Sequence, residues 1–258
     1  MKSPRLVLCE SPETLAVEVA AFVVRCAREA VEQRGRFTLV LSGGTTPEKL
    51  HLALAEPARR DSIAWSETYV FFGDERFVPP DDPRSNFGMA QRTLLSHVPT
   101  PASHVFPIST DGPTAAAAAD RYAAQLARFF PQEAAGGRPP CFDLILLGLG
   151  DDGHTASLFP GTPALQVEDA WATWSRPGWL PPPVDRITLT YPVLNAARHV
   201  AFLVTGNRKA VALRDVLENG AGRDLRPAAG VRPSEGTLAW FVDWQAAELL
   251  SHKEPSRA

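Results

Sequence analysis

The stretch FDLILLGLGDDGHTASLFPGTPAL, Phe142 to Leu165, decides the fold class. Leu144 to Leu147 is an unbroken apolar run, the pattern of a parallel strand covered on both faces rather than of a half-exposed edge strand. Gly148, Gly150 and Gly153 let the backbone turn sharply, and Asp151, Asp152 and His154 sit on that turn. Open parallel sheets bind ligands where strands end at their carboxyl side. A histidine with adjacent carboxylates at such a place is a candidate general base with its own orienting group.

The same glycines fit the dinucleotide fingerprint GxGxxG, with Glu168 near the position of an acidic ribose ligand. Three features speak against a nicotinamide cofactor. Pyrophosphate would meet the like charges of Asp151 and Asp152, helix-breaking Pro160 follows soon after Gly153, and no clean second strand leads to Glu168.

Outward from this run, the chain has 258 residues, 45% of them hydrophobic, enough for a full core in one α/β domain or two small ones. A net charge of −3 argues against a broad nucleic-acid surface and leaves room for a local anion pocket. Cys9, Cys26 and Cys141 are odd in number and far apart, which predicts free thiols and a cytoplasmic location. No segment approaches membrane-spanning length, and the six histidines lack zinc-ligand spacing, so neither a membrane nor a metal is expected.

Ser11 and Pro12 read as cap and first residue of a helix whose apolar face is Leu15, Val19, Phe22, Val23, Cys26 and Ala30, with Gly35 as its stop. Strands are expected at 37–41, 69–72, 187–190, 200–204 and 238–242. Helices are expected at 47–55, 86–96, 113–130 and 208–218, with another closing the chain. Residues 134–140 read as a loop and 176–183 as a proline-rich connector. Alternating strands and helices predict a doubly wound, mostly parallel sheet in a single domain, 1–258, with room for a small lobe.

Three other strand ends carry chemistry. Ser42, Gly43, Gly44, Thr45 and Thr46 precede a helix beginning at Pro47, a place where hydroxyls and a helix N-terminus suit a phosphate. The Walker pattern is absent, and a tight turn with a threonine cap is the structural alternative. Asp74, Glu75 and Arg76 follow the next strand, where a charge-balanced surface turn is the alternative reading, and Asn86 can cap its helix. Thr205, Gly206 and Lys209 repeat the arrangement; an ammonium at a helix start is unfavourable unless an anion joins it. His51, His97, His104, His199 and His252 lack such company and read as surface or capping residues.

Taken together, LSGGTTP (41–47), FFGDERFVPPDDPRSNFGMA (71–90), LGLGDDGHTASLFPGTPAL (147–165) and TLTYPVLNAARHVAFLVTGNRKA (188–210) resemble the 6-phosphogluconolactonase family, a branch of the larger glucosamine-6-phosphate deaminase group. GVRPSEGTLAWFVDWQAA (230–247) fits the family's carboxyl end. The resemblance implies a Rossmann-like fold with helices on both faces, no metal or organic cofactor, and hydrolysis of 6-phosphogluconolactone to 6-phosphogluconate in the oxidative pentose phosphate pathway.

On that resemblance His154 is the general base, Asp152 its orienting acid, Asp74 a holder of water or a sugar hydroxyl, and Arg76 a partner for developing negative charge. Ser42, Gly43, Gly44, Thr45 and Lys209 are implied to bind the phosphate, with Asn86 beside the substrate and Arg186 as a further helper. The related deaminases resemble GHIAFNEP after the histidine, whereas HTASLFP here carries Phe159 in place of the glutamate. Asp151 stands where the family often has proline, which leaves two aspartates able to orient His154. The expected partner is a small sugar-phosphate lactone, with the protein a monomer or weak homo-oligomer. A sugar-phosphate sensor is the rival class. The early onset of the sheet pattern, leaving no room for a helix-turn-helix segment, and the presence of His154 favour the enzyme.

Overall fold

The computed structural model describes residues 4–176 and 183–251. Its strands are β1 (Arg5–Cys9), β2 (Phe37–Leu41), β3 (Thr68–Phe72), β4 (Asp74–Arg76), β5 (Val105–Phe106), β6 (Leu144–Gly148), β7 (Ala172–Ser175), β8 (Arg186–Leu189), β9 (His199–Val204) and β10 (Thr237–Asp243). The helices are α1 (Pro12–Arg34), α2 (Thr45–Ala55), α3 (Pro57–Arg60), α4 (Asn86–Ala90), α5 (Ala115–Phe129), α6 (Pro131–Ala135), α7 (Tyr191–Ala196) and α8 (Ala210–Leu217).

Seven strands form one sheet in the order β1-β10-β9-β6-β2-β3-β5, and every pairing is parallel. β2 and Leu144–Leu147 of β6 are fully buried, as strands covered on both faces require. From β2 the chain moves outward through β3 to β5; from β6 it moves the other way to β9 and β10. The reversal leaves a crevice at the carboxyl ends of β2 and β6, where open α/β sheets bind ligands.

Helices cover both faces. α1 starts at Ser11, whose hydroxyl accepts from Thr14 N at 3.1 Å, and its Phe22 ring meets Phe241 of β10 at 5.6 Å. Successive strand residues point to opposite faces, so Trp240, stacked on Phe202 at 3.9 Å, lies on the other side with Val216 and Leu217 of α8. Phe71, Phe106, Phe129, Phe130 and Phe142 pack ring to ring and close the β5 end of the core.

Several sequence expectations change. Asp74–Arg76 is a strand and not a surface turn: after Gly73 it pairs antiparallel with β8, and β4-β8-β7 make a separate three-stranded sheet. A charged triplet forms a strand here because β8 supplies the ladder and α4 buries the Glu75 carboxylate. β1, β5 and β7 add to the strands expected from sequence. The helix expected at 86–96 becomes α4 followed by a π turn, Gln91–Leu95. α6 extends into the segment read as a loop, α2 begins at Thr45 instead of Pro47, and residues 244–249 form turns where a closing helix was expected. His51 is fully buried in α2, not on the surface, with Nδ1 3.0 Å from Thr93 Oγ1; burial pushes its pKa down to about 4. His252 and most of the proline-rich connector lie outside the described residues.

Candidate active site

Four adjacent strands, β9, β6, β2 and β3, end on one cleft of about 700 Å³. Ser42, Gly43, Gly44, Asp74, Arg76, Asn86, Asp152, His154, Arg186 and Lys209 all line it. Thr45 does not: it is exposed as the first residue of α2. Asp151, Ser157, Phe159 and Arg208 line the cleft as well.

The loop after β6 is built around His154. Asp152 Oδ1 accepts both the His154 backbone N–H at 3.0 Å and the Nδ1–H at 2.6 Å. A carboxylate at Nδ1 fixes the proton there and leaves the lone pair on Nε2. Phe159 packs against the imidazole at 4.7 Å between ring centroids. Gly150 permits this arrangement, since a Cβ there would lie 2.0 Å from His154 Nδ1. Burial raises the pKa of Asp152, but the hydrogen bond and charge of His154 outweigh it and hold the carboxyl below its ordinary value.

The loop is also braced from behind. Arg226 donates to Asp152 O at 3.0 Å and is itself held by Asp215 at 2.8 Å. Ala156 has φ 47°, a left-handed conformation that few residues other than glycine adopt. It lies between His154 and Ser157, and the Ser157 hydroxyl donates to Asp74 Oδ2 at 2.6 Å.

β4 supplies the facing wall. Asp74 is buried, and Asn86 Nδ2 donates to its backbone O at 2.9 Å and to its Oδ1 at 3.2 Å. Glu75 points away from the cleft and accepts from Arg76 N, Asn86 N, Phe87 N and Ser85 Oγ at 2.7–3.0 Å. It is an anchor for α4. Burial nevertheless pushes the Glu75 pKa up, against the pull of those backbone donors. Arg186 lies opposite Arg76 in the β4–β8 ladder. Burial, and then repulsion from Arg76, bring Arg186 down to about 10, so it remains cationic at neutral pH.

At the other end of the cleft, Lys209 Nζ donates to Asp151 Oδ1 at 2.5 Å, while Arg208 Nε donates to Asp151 Oδ2 at 2.7 Å. The two aspartates therefore divide: Asp152 contacts the imidazole and Asp151 the cations. Asp243 holds the loop after β9, accepting from Gly206 N at 3.0 Å.

Among the described residues, Ser42 Oγ and Asn86 Oδ1 are buried in this cleft without a hydrogen-bond partner. Gly43 lets them approach one another's loops, because a Cβ at that position would lie 1.8 Å from Asn86 Oδ1. Unpaired buried polar groups cost roughly 1–3 kcal/mol each, which a polar ligand would offset. Nicotinamide binding has no support here: Asp151–Gly153 form a turn followed by a Thr155–Leu158 bridge, where the fingerprint needs a helix. Among the described residues no cluster of His, Cys, Asp or Glu has the form of a metal site, and no helix is long and apolar enough to cross a membrane.

The sequence reading gives no role to Ser157, Arg208, Arg226, Asp215 or Asp243. Ser157, Arg208 and Asp243 lie within the segments that carry the family resemblance, and Arg208 shares its strand-end loop with Lys209, whereas Asp215 and Arg226 lie outside them.

The family model described as glucosamine-6-phosphate isomerases/6-phosphogluconolactonase matches residues 10–240. A 6-phosphogluconolactonase of Synechocystis sp. is 44% identical over 222 residues, covering 86% of this chain and 88% of its own. One from Rattus norvegicus is 42% identical, covering 93% and 91%. The solved 6-phosphogluconolactonase from Trypanosoma cruzi superposes with a TM-score of 0.85 at 30% identity, covering 97% of this chain and 98% of that one.

Proposed function

Because the chain belongs to the glucosamine-6-phosphate isomerase/6-phosphogluconolactonase family, we propose that it hydrolyses 6-phospho-D-glucono-1,5-lactone with His154 as general base. The observation that carries this mechanism is the Asp152–His154 pair at 2.6 Å in a cleft with cations at both ends. Nε2 takes a proton from the attacking water while the water oxygen bonds to C1, and the carbonyl electrons move onto its oxygen. Collapse of this intermediate expels the ring oxygen, which receives the proton from the imidazolium. Asp152 stabilises that cation throughout. In this reading Arg76 meets the developing negative charge, Asp74 holds the water or a sugar hydroxyl, and Arg186 is a further helper for the phosphate; all three line the cleft. Ser42, Gly43, Gly44, Lys209 and Arg208 bind the phosphate.

Amino-sugar deamination is disfavoured by Phe159, which packs an apolar ring on His154 where the deaminase motif carries a glutamate. The free Cys9, Cys26 and Cys141 support a reducing, cytoplasmic setting. A monomer or weak homo-oligomer remains our reading of its assembly.

The test is a direct assay with freshly prepared 6-phosphogluconolactone, run with and without prolonged chelation, beside glucosamine 6-phosphate. Hydrolysis above the spontaneous rate that survives the chelator is expected, with no ammonia from the amino sugar. Ammonia release at a matching rate would overturn the assignment. Activity lost to chelator and restored by a divalent cation would overturn the metal-free mechanism.

A further inference from the structure

The cations assigned to the substrate phosphate already hold an anion that belongs to the protein. Asp151 spends one carboxylate oxygen on Lys209 at 2.5 Å and the other on Arg208 at 2.7 Å. The side chains differ in exposure, 81% for Arg208, 38% for Asp151 and 26% for Lys209. All three line the cleft. A carboxylate held on both oxygens by two cations presents them with the geometry and charge sign that a phosphate would offer. The pairing also answers the poor electrostatics of a lysine at a helix start, which the sequence alone left to a ligand.

We propose that Asp151 is an internal counter-ion that competes with the substrate's phosphate for Arg208 and Lys209 and so sets the affinity of that subsite. The proposal rests on the functional reading above. A dianion entering the cleft displaces the carboxylate, which turns toward solvent from a glycine-flanked loop, Gly150 to Gly153. While the subsite is empty, Asp151 keeps both cations in place. When the anionic product leaves, it closes the pairs again. Asp151 thus trades affinity for pre-organisation and for release, and it touches neither the imidazole nor the reacting carbonyl. It is a positioning residue.

Calorimetric titration of inorganic phosphate into the parent protein and Asp151→Asn reads this role without any turnover. Removing the competing charge is expected to tighten phosphate binding roughly 3- to 10-fold, the scale of two partly exposed ion pairs. KM for the phosphorylated lactone is expected to fall by a similar factor relative to unphosphorylated gluconolactone, while kcat does not rise. Asp151→Ser gives the same direction if Asp151→Asn folds poorly. Adding Lys209→Ala to either variant is expected to remove most of the gain. Unchanged or weaker phosphate binding in a folded Asp151 variant would overturn the proposal. A parent protein that hydrolyses no phosphorylated lactone would instead sink the functional reading, and the phosphate titration would still decide the counter-ion role.

Discussion

One strand, β6, delivers carboxylates to both ends of the sheet, and the two ends treat them differently. Asp143, just before it, is 4% exposed and fully engaged: Oδ2 accepts Thr38 N and Oγ1 at 2.8 Å, and Oδ1 accepts Arg34 Nε at 2.9 Å. Arg198 adds a further cation at 3.4 Å. Asp151 and Asp152, just after β6, hold partners that face a cleft, and nearby Ser42 Oγ and Asn86 Oδ1 have none. Where every acceptor is satisfied inside the protein, a carboxylate holds the fold. Where capacity is left over, a ligand can use it.

The comparison is broken most directly at the cleft end. His154→Ala is expected to lower kcat roughly 10²- to 10⁴-fold, the range for a positioned general base, with the melting temperature preserved. An unchanged kcat in a folded variant would remove His154 from the mechanism.

Asp143→Ala is the opposite case. Leaving Thr38 N–H buried without its acceptor, and two arginines without their carboxylate, is expected to cost about 2–3 kcal/mol of stability by denaturant unfolding. The protein that remains folded should turn over normally. Lost kcat at full occupancy of the folded state would show that the two ends are coupled.

Lys209→Ala sharpens the division within the cleft. A charge-assisted contact contributes about 1.5–3 kcal/mol, and competition from Asp151 places the effect near the lower end, roughly a 10-fold rise in KM with kcat held. Unphosphorylated gluconolactone should be a poor substrate for the parent and lose little further. Equal harm to both lactones would assign the lysine a different role.

The smallest effect is a pH dependence of stability. His154 holds the Asp152 pKa below its ordinary 3.8. A depressed carboxylate contributes its stability in full above the unfolded value and loses it as pH falls through the folded one. The stability gap between the parent and Asp152→Asn, about 1 kcal/mol, should therefore close as pH falls below about 3.8. A gap that stays open at lower pH would contradict the pairing.

Much of this was legible in local pattern. The unbroken apolar runs announce buried parallel strands, and Ser11, Pro12 and Gly35 bound α1 because caps act within one turn. The glycine-rich strand ends point to the cleft, since ligands gather at the carboxyl ends of parallel strands. Local pattern misleads at Asp74–Arg76, where the charges suggest a turn and only β8 makes a strand. It misleads at His51 too, whose burial depends on what packs over α2.

Sequence alone thus determined the alternating parallel architecture, its ligand-binding edge and the placing of His154 there, because hydrophobic period and turn chemistry are properties of neighbours along the chain. Tertiary structure decided which carboxylate serves which partner. Asp152 and Asp151 are adjacent and chemically identical, yet one meets an imidazole in its own loop while the other meets cations 57 and 58 residues away. Ser157 reaches Asp74 across 83 residues. Such pairings follow from the order in which strands lie side by side, and no spacing within a single motif encodes that order.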